Sequence, residues 1–229
     1  AISTEGLKEG DFTFIYGFPG TTKQYILSDE VDYILNRSNP HKIGLRTMRL
    51  DIMGEEQAKS VATRIQYASK HAGVANAWKK WQGESKGLAR LGTLENKREA
   101  ERRFQQWADA HPAYADVLSQ MHGLYAELAP YAFARDYYAE AYGAVELTRF
   151  ASRLVRAGAR QREAMAREFY KDYSPVIDAR IAKKTWGEYL RNVPQEFLPE
   201  AFAQAVVVAG GVDAAVEKLF AESRLTDSV

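Results

Sequence analysis

From Ser28 onward, apolar residues recur at intervals of three and four, the spacing that lines one face of an α-helix. Val31, Ile34 and Leu35 form the first such face. Ser28 stands before it as an N-cap, with Asp29 and Glu30 in a first turn that favours acidic side chains. Asn39-Pro40 repeats the start signal, asparagine capping and proline taking the first helical position. Gly54 and Gly73 are expected to interrupt the next stretch, and a long helix is expected from about Ala75 to Ala110, ending before Pro112. Tyr137, Ala141, Ala144, Leu147, Ala151 and Leu154 then mark a single amphipathic stripe. Ser174-Pro175 caps a helix that places Ile177, Ile181, Thr185 and Tyr189 on one face. Pro199 opens another, stopped by Gly210-Gly211, and Val212, Val216, Leu219 and Phe220 line the last. The pattern predicts a mainly α fold, a bundle-like domain of roughly eight to ten helices.

One segment breaks the rhythm. Asp11-Phe12-Thr13-Phe14-Ile15-Tyr16 is aromatic and β-branched, bounded by Gly10 and by Gly17-Phe18-Pro19-Gly20, and predicts a strand ending in a tight turn. A lone strand leaves its backbone donors and acceptors unpaired. It therefore pairs with residues 1–10 or with sequence outside this chain. The start at Ala1 without methionine and the stop just after Leu225-Thr226-Asp227 fit the second reading, a fragment. The expected division is a strand-and-turn segment over 1–28 and a helical domain over 29–229.

Composition narrows the classes. With 229 residues, 46% hydrophobic and 27% charged, the chain can bury a core and is not dominated by disorder. No apolar run approaches the ~18 residues of a membrane span, so no membrane insertion is expected. The absence of cysteine removes disulfides, thiol nucleophiles and cysteine metal sites. A net charge of +1 gives no overall attraction to nucleic acid. Charge is nonetheless segregated: residues 149–184 carry ten Lys/Arg against four Asp/Glu, and 185–229 three against seven. Helices of opposite sign are expected to pair across the bundle.

Local motifs give little chemistry. Gly83-Glu84-Ser85-Lys86-Gly87 matches the spacing of a nucleophile elbow but has no strand before it, so a helix kink or a surface turn is the better reading. Gly17 to Lys23 lacks the glycine that a phosphate loop needs before its lysine. His41, His71, His111 and His122 have no metal-ligand spacing, and no metal or cofactor is expected. Trp78, Lys79, Lys80 and Trp81 interleave rings and cations as a single-stranded nucleic-acid platform does, yet their helical spacing suits packing better. Tyr131, Phe133, Tyr137, Tyr138 and Tyr142 read as core and rim residues of a bundle.

Several stretches together resemble one family, the bacterial dipeptidyl-peptidases 7 and 11 and their relatives. Gly10 to Thr22 is similar to the family's G-D-F-x-x-x-x-G-F/Y-P-G-x-T run. Asn39-Pro40 with Leu50-Asp51-Ile52-Met53 resembles the entry to its helical domain. Tyr67-Ala68-Ser69-Lys70 and the stretch Ala75 to Gly83 resemble its Y-A-S-K and A-N-Y-W-K segments. Phe169-Tyr170-Lys171-Asp172-Tyr173 resembles F-Y-K-D-Y, and Ser223 to Asp227 its domain exit. The matches span nearly the whole chain in the expected order.

The resemblance implies a parent serine exopeptidase with a chymotrypsin-like double β-barrel, whose catalytic histidine, aspartate and serine lie outside this chain. Residues 1–28 would then be the end of the barrel's first part. The remainder would be a cap that closes over the barrel and helps hold the α-ammonium of an oligopeptide with a free N-terminus. By match, Asn76 is the residue that binds that ammonium; Ala77 departs from the tyrosine common in the family. No residue of this chain is expected to be catalytic, and the piece alone is expected to be inactive. Gly44 and Gly54 are candidate hinges. The family also implies a periplasmic, cell-surface or secreted location and is compatible with a homodimeric parent. Two other classes stay open. A helical protein-interaction module without enzymatic activity would form a stable, ligand-independent dimer; a helical nucleic-acid domain would bind polyanions at moderate salt.

Overall fold

The computed structural model describes residues 6–14, 16–17 and 21–226. Among them are ten α-helices: α1 (Ser28–Tyr33), α2 (Asn39–Lys59), α3 (Val61–Arg90), α4 (Thr93–Ala108), α5 (Val117–Glu140), α6 (Glu146–Arg156), α7 (Ala159–Lys171), α8 (Pro175–Asn192), α9 (Glu200–Ala209) and α10 (Val212–Glu222). The fold is mainly α, as the periodicity predicts.

The expected strand is not there: among the described residues of 6–17 none is in a β-strand, and Phe12, Phe14 and Tyr16 are 89%, 75% and 97% exposed. A strand exists only with a partner to complete its ladder, and no described segment supplies one. Ile15 and the turn residues Phe18, Pro19 and Gly20 lie outside the described residues, as does Asp227 at the expected domain exit.

Two helix starts are built differently from the expectation. Ser28 is the first helical residue and does not cap with its own side chain. Its N–H and Oγ both donate to the Glu101 carboxylate of α4, at 2.6 Å each, so an acid from another helix satisfies the open end. Asn39-Pro40 does open α2 with the proline in its first turn, but Asn39 is itself helical and does not cap it. A π-helical turn, Ile34–Ser38, joins α1 to α2 through continuous right-handed backbone. A proline inside a helix has no N–H to donate and crowds the carbonyl four residues back; the wider turn just before Pro40 relieves that clash. The buried Asn39 side chain donates to Glu84 Oε2 and Ser85 Oγ at 3.1 Å each, tying α2 to the far end of α3.

α2 and α3 form an antiparallel hairpin whose entire connection is Ser60, which ends one helix and caps the next by accepting from the Thr63 N–H. Gly44, Gly54, Gly73, Gly83 and Gly87 all lie within these two helices and interrupt neither. The Gly83–Gly87 pentapeptide is therefore neither an elbow nor a surface turn. The long helix expected over 75–110 starts earlier and breaks at Leu91-Gly92. There Gly92 takes a left-handed φ of 57°, which costs a glycine least.

The stripe from Tyr137 to Leu154 is also divided. α5 ends at Glu140, a 3-10 turn spans Tyr142–Ala144, and α6 restarts at Glu146, although Tyr137, Ala141, Ala144 and Leu147 are all buried as expected. α8 is the central helix, packed against α2, α5, α6 and α10. Ile177, Ile181, Thr185 and Tyr189 are each at most 1% exposed, the face that the periodicity assigns. Between the oppositely charged segments, Lys183–Glu217 at 2.6 Å is the ion pair that forms among the described residues; Arg180 turns instead to Glu55 and Glu56 of α2.

Candidate functional site

α3 carries the sequence-predicted site and two polar seams that fix it. The first seam runs up α2. Ser38, His41, Lys42, Arg46 and Arg49 recur at helical spacing and face Asp136 and Glu140, one turn apart on α5. Asp136 is buried, and its Oδ2 accepts from Ser38 Oγ at 2.7 Å and Tyr33 OH at 3.0 Å, while Lys42 Nζ lies 3.2 Å from Oδ1. Burial alone raises this carboxyl, but His41, Ser38 and Lys42 outweigh it and hold the group well below the usual carboxylate range. His41 Nε2 is 3.5 Å from Oδ2, outside good hydrogen-bond geometry, and its ring stacks on Tyr137 at 4.8 Å.

Arg46 makes a bidentate pair with Glu140, Nε to Oε2 and Nη2 to Oε1 at 2.8 Å each. Its Nη1 donates to the Val74 carbonyl of α3 at 3.0 Å, and its guanidinium lies 4.7 Å from the Trp81 ring centre. Arg49 approaches the same carboxylate at 3.5 Å; burial lowers its guanidinium to about 10. Lys42 also sits over Trp81, and Trp78 Nε1 donates to Thr47 Oγ1 at 2.9 Å. The tryptophan pair thus faces cations and a hydroxyl of α2, which is the packing reading of Trp78–Trp81.

The second seam joins α3 to α6 and α8. Tyr67, with no solvent exposure, accepts from the Ser174 N–H at 3.1 Å. Lys70 bridges Glu146 Oε2, at 2.6 Å, and the Asp172 carbonyl, with its ammonium 4.7 Å from the Tyr67 ring centre. Asp178 takes the N–H groups of Glu146 and Leu147 at 2.7 and 2.8 Å. Burial, with the neighbouring Glu146 charge, pushes its carboxyl up to about 7 against those hydrogen bonds. Phe169 stacks on Phe150 at 3.9 Å, and Tyr170 OH donates to the Leu225 carbonyl. The Y-A-S-K and F-Y-K-D-Y stretches therefore meet in one buried junction, and their tyrosines and lysine hold helices together.

Asn76 stands within the stretch of α3 that meets the first seam, between Val74 and Trp78, and on the opposite side of the helix from both seams. It is exposed, in the middle of a helix, and its side chain makes no hydrogen bond among the described residues. It neither caps nor bridges. Val74, two residues before it, is pinned through its carbonyl, and Trp78, two residues after, through its indole. The open face beside it carries Ala72, Gly73, Lys79, Lys80 and Gly83. A neutral amide oxygen presented there can accept from a cation without a charge of its own. Sequence reasoning placed Asn76 but missed Arg46, Glu140 and Asp178, whose partners lie 28, 94 and 31 or 32 residues away. The i, i+4 spacing of Asp136 and Glu140 was the available signal.

The family model described as Peptidase S46 matches residues 1–229. An Asp/Glu-specific dipeptidyl-peptidase of Flavobacterium psychrophilum is 35% identical over 216 residues, covering 86% of this chain and 30% of that protein. A dipeptidyl-peptidase 7 of Porphyromonas gingivalis is 36% identical over 217 residues, covering 90% and 30%. The crystal structure of Porphyromonas endodontalis DPP11 in complex with the dipeptide Arg-Glu superposes with a TM-score of 0.78 at 22% identity, over 92% of this chain and 33% of that one. The chain thus spans about 30% of the length of these curated relatives.

Proposed function

The chain belongs to the peptidase S46 family, and from that premise we propose that it is the helical cap of a serine dipeptidyl-peptidase that removes dipeptides from free N-termini of oligopeptides. In this reading Asn76 accepts a hydrogen bond from the substrate α-ammonium. A carboxylate of the catalytic β-barrel supplies the opposite charge, and closure of the cap over the barrel excludes water and blocks longer N-terminal extensions. Residues 1–28 belong with the barrel. The triad lies outside this chain, which on its own hydrolyses nothing. The parent works in the periplasm or at the cell surface.

The observation that carries the reading is the Asn76 amide, exposed and unpartnered on a helix otherwise fastened along its inner face. A dipeptide gauge needs an acceptor on a well-fastened backbone, because an ammonium withdrawn from water without hydrogen bonds loses several kcal/mol. Support comes also from the relatives named dipeptidyl-peptidases and from the DPP11 structure holding a dipeptide.

The test compares the full-length parent with its Asn76→Ala variant on fluorogenic dipeptidyl substrates, each free and N-acetylated. The wild type is expected to cleave the free forms alone. The variant is expected to lose roughly 10- to 100-fold in kcat/KM, the worth of one hydrogen bond to a charged group. Activity indifferent to both acetylation and substitution removes Asn76 from the mechanism. A parent that cleaves nothing returns the chain to an interaction module.

A further inference from the structure

Asn76 has no hydrogen bond of its own, so nothing but the α3 backbone beneath it fixes where its amide stands. That backbone is not simply one more turn of helix. Each helical carbonyl has two lone pairs and spends one on the N–H four residues on. At Val74 the second is taken by Arg46 Nη1 at 3.0 Å. The guanidinium is rigid and planar, and two other donors are committed to Glu140 at 2.8 Å each, while its face rests on Trp81. With three contacts satisfied at once, the direction of the Val74 bond is determined by α5 and by Trp81, not by a free side-chain rotation. Glu140 is in turn held by Arg49 at 3.5 Å, so it remains in place between two cations.

We propose that Arg46, oriented by Glu140, is a positioning residue for Asn76: it locks the height and rotation of α3 at the ammonium anchor by clamping the carbonyl two residues before it. This inference rests on the reading of Asn76 as the anchor. The clamp needs a fork of donors in one plane, which lysine does not have. A reacting group displaced by about 1 Å can lose on the order of a hundredfold in rate, so a loosened turn is enough to register.

The experiment is a double-mutant cycle in the full-length parent, with kcat and KM on free-amino dipeptidyl substrates for wild type, Arg46→Met, Arg46→Lys, Asn76→Ala and Arg46→Met/Asn76→Ala. Melting midpoints are recorded so that every assay runs well below unfolding. Arg46→Met is expected to lower kcat/KM about tenfold, with Arg46→Lys failing to restore it. In the Asn76→Ala background the same Arg46 substitution is expected to cost less than about twofold, because the group it positions is gone. Equal losses in both backgrounds overturn the proposal and make Arg46 a structural residue. So does full activity of Arg46→Met where Asn76→Ala is impaired. If Asn76→Ala is itself without effect, the anchor reading falls, and the positioning role falls with it. Should Arg46→Met fail to fold, Glu140→Gln, which keeps the shape and one acceptor, carries the same cycle with the same criteria.

Discussion

Asp178 has no solvent exposure, yet both its oxygens are committed to the first N–H groups of α6, and Tyr173 OH lies 3.4 Å away. Asp178→Asn turns an amide NH₂ toward one of those donors. It is expected to cost about 1–3 kcal/mol, lowering the melting midpoint of a domain this size by roughly 3–10 °C in a thermal scan. The pH dependence has a definite sign. The carboxyl rises from 3.8 to about 7 on folding, so its contribution is full below 3.8 and is lost as pH rises through 7. The midpoint gap between wild type and Asp178→Asn should therefore shrink from pH 4 to pH 8; a constant gap refutes the shift. Asp136 acts oppositely. Its carboxyl is depressed on folding, so its contribution is full above the ordinary carboxylate range and is lost as pH falls below it. None of this was legible beforehand: Ser28 and Asn39 look like caps, but the acid that closes α1 is Glu101 and the acid that closes α6 is Asp178, 73 and 32 residues distant.

Among the elements, those defined by their own periodicity and punctuation were legible, and those defined by distant partners were not. α8, with Ser174 accepting from the Ile177 N–H, and the α9–α10 pair around Gly210-Gly211 follow directly from the residue pattern. The division of α5 from α6 does not, because the apolar stripe continues unbroken while Asp178 opens a new helix inside it. The α3–α4 break rests on Gly92, one glycine among several in helical sequence. Adding a Cβ separates the cases. Gly92→Ala, forced to keep a left-handed φ of 57°, is expected to cost about 1–2 kcal/mol. Gly87→Ala, in regular helix with nothing within 4 Å of the added carbon, is expected to gain up to about 1 kcal/mol. Shifts of the same sign in paired melts count against this assignment of the break. For the candidate site, the motif located Asn76, but its support spans α2, α3 and α5, and only the folded chain brings these together.

Across the whole molecule, stability is unevenly spread. The Tyr67–Lys70–Glu146–Asp178 junction is enclosed by three helices, whereas, among the described residues, 7–14 carry two local hydrogen bonds, Asp11 N–H to the Lys8 carbonyl and Lys8 N–H to the Asp11 carboxylate. Hydrogen exchange should find the slowest amides in α8 near Asp178 and near-intrinsic rates over 7–14. The one-residue Ser60 connection has a further consequence, in kinetics. Closing a loop costs entropy that grows with its length, and here α2 and α3 pack along one another with almost no loop to close. Their contacts are low in contact order and available before any other long helix has found its place. The hairpin is therefore the expected folding nucleus. In stopped-flow chevrons, Met53→Ala should slow refolding with a φ-value approaching about 1, while Val206→Ala in α9 should leave refolding unchanged and speed unfolding, with φ near about 0. The helical domain would then assemble outward from the helix that carries Asn76.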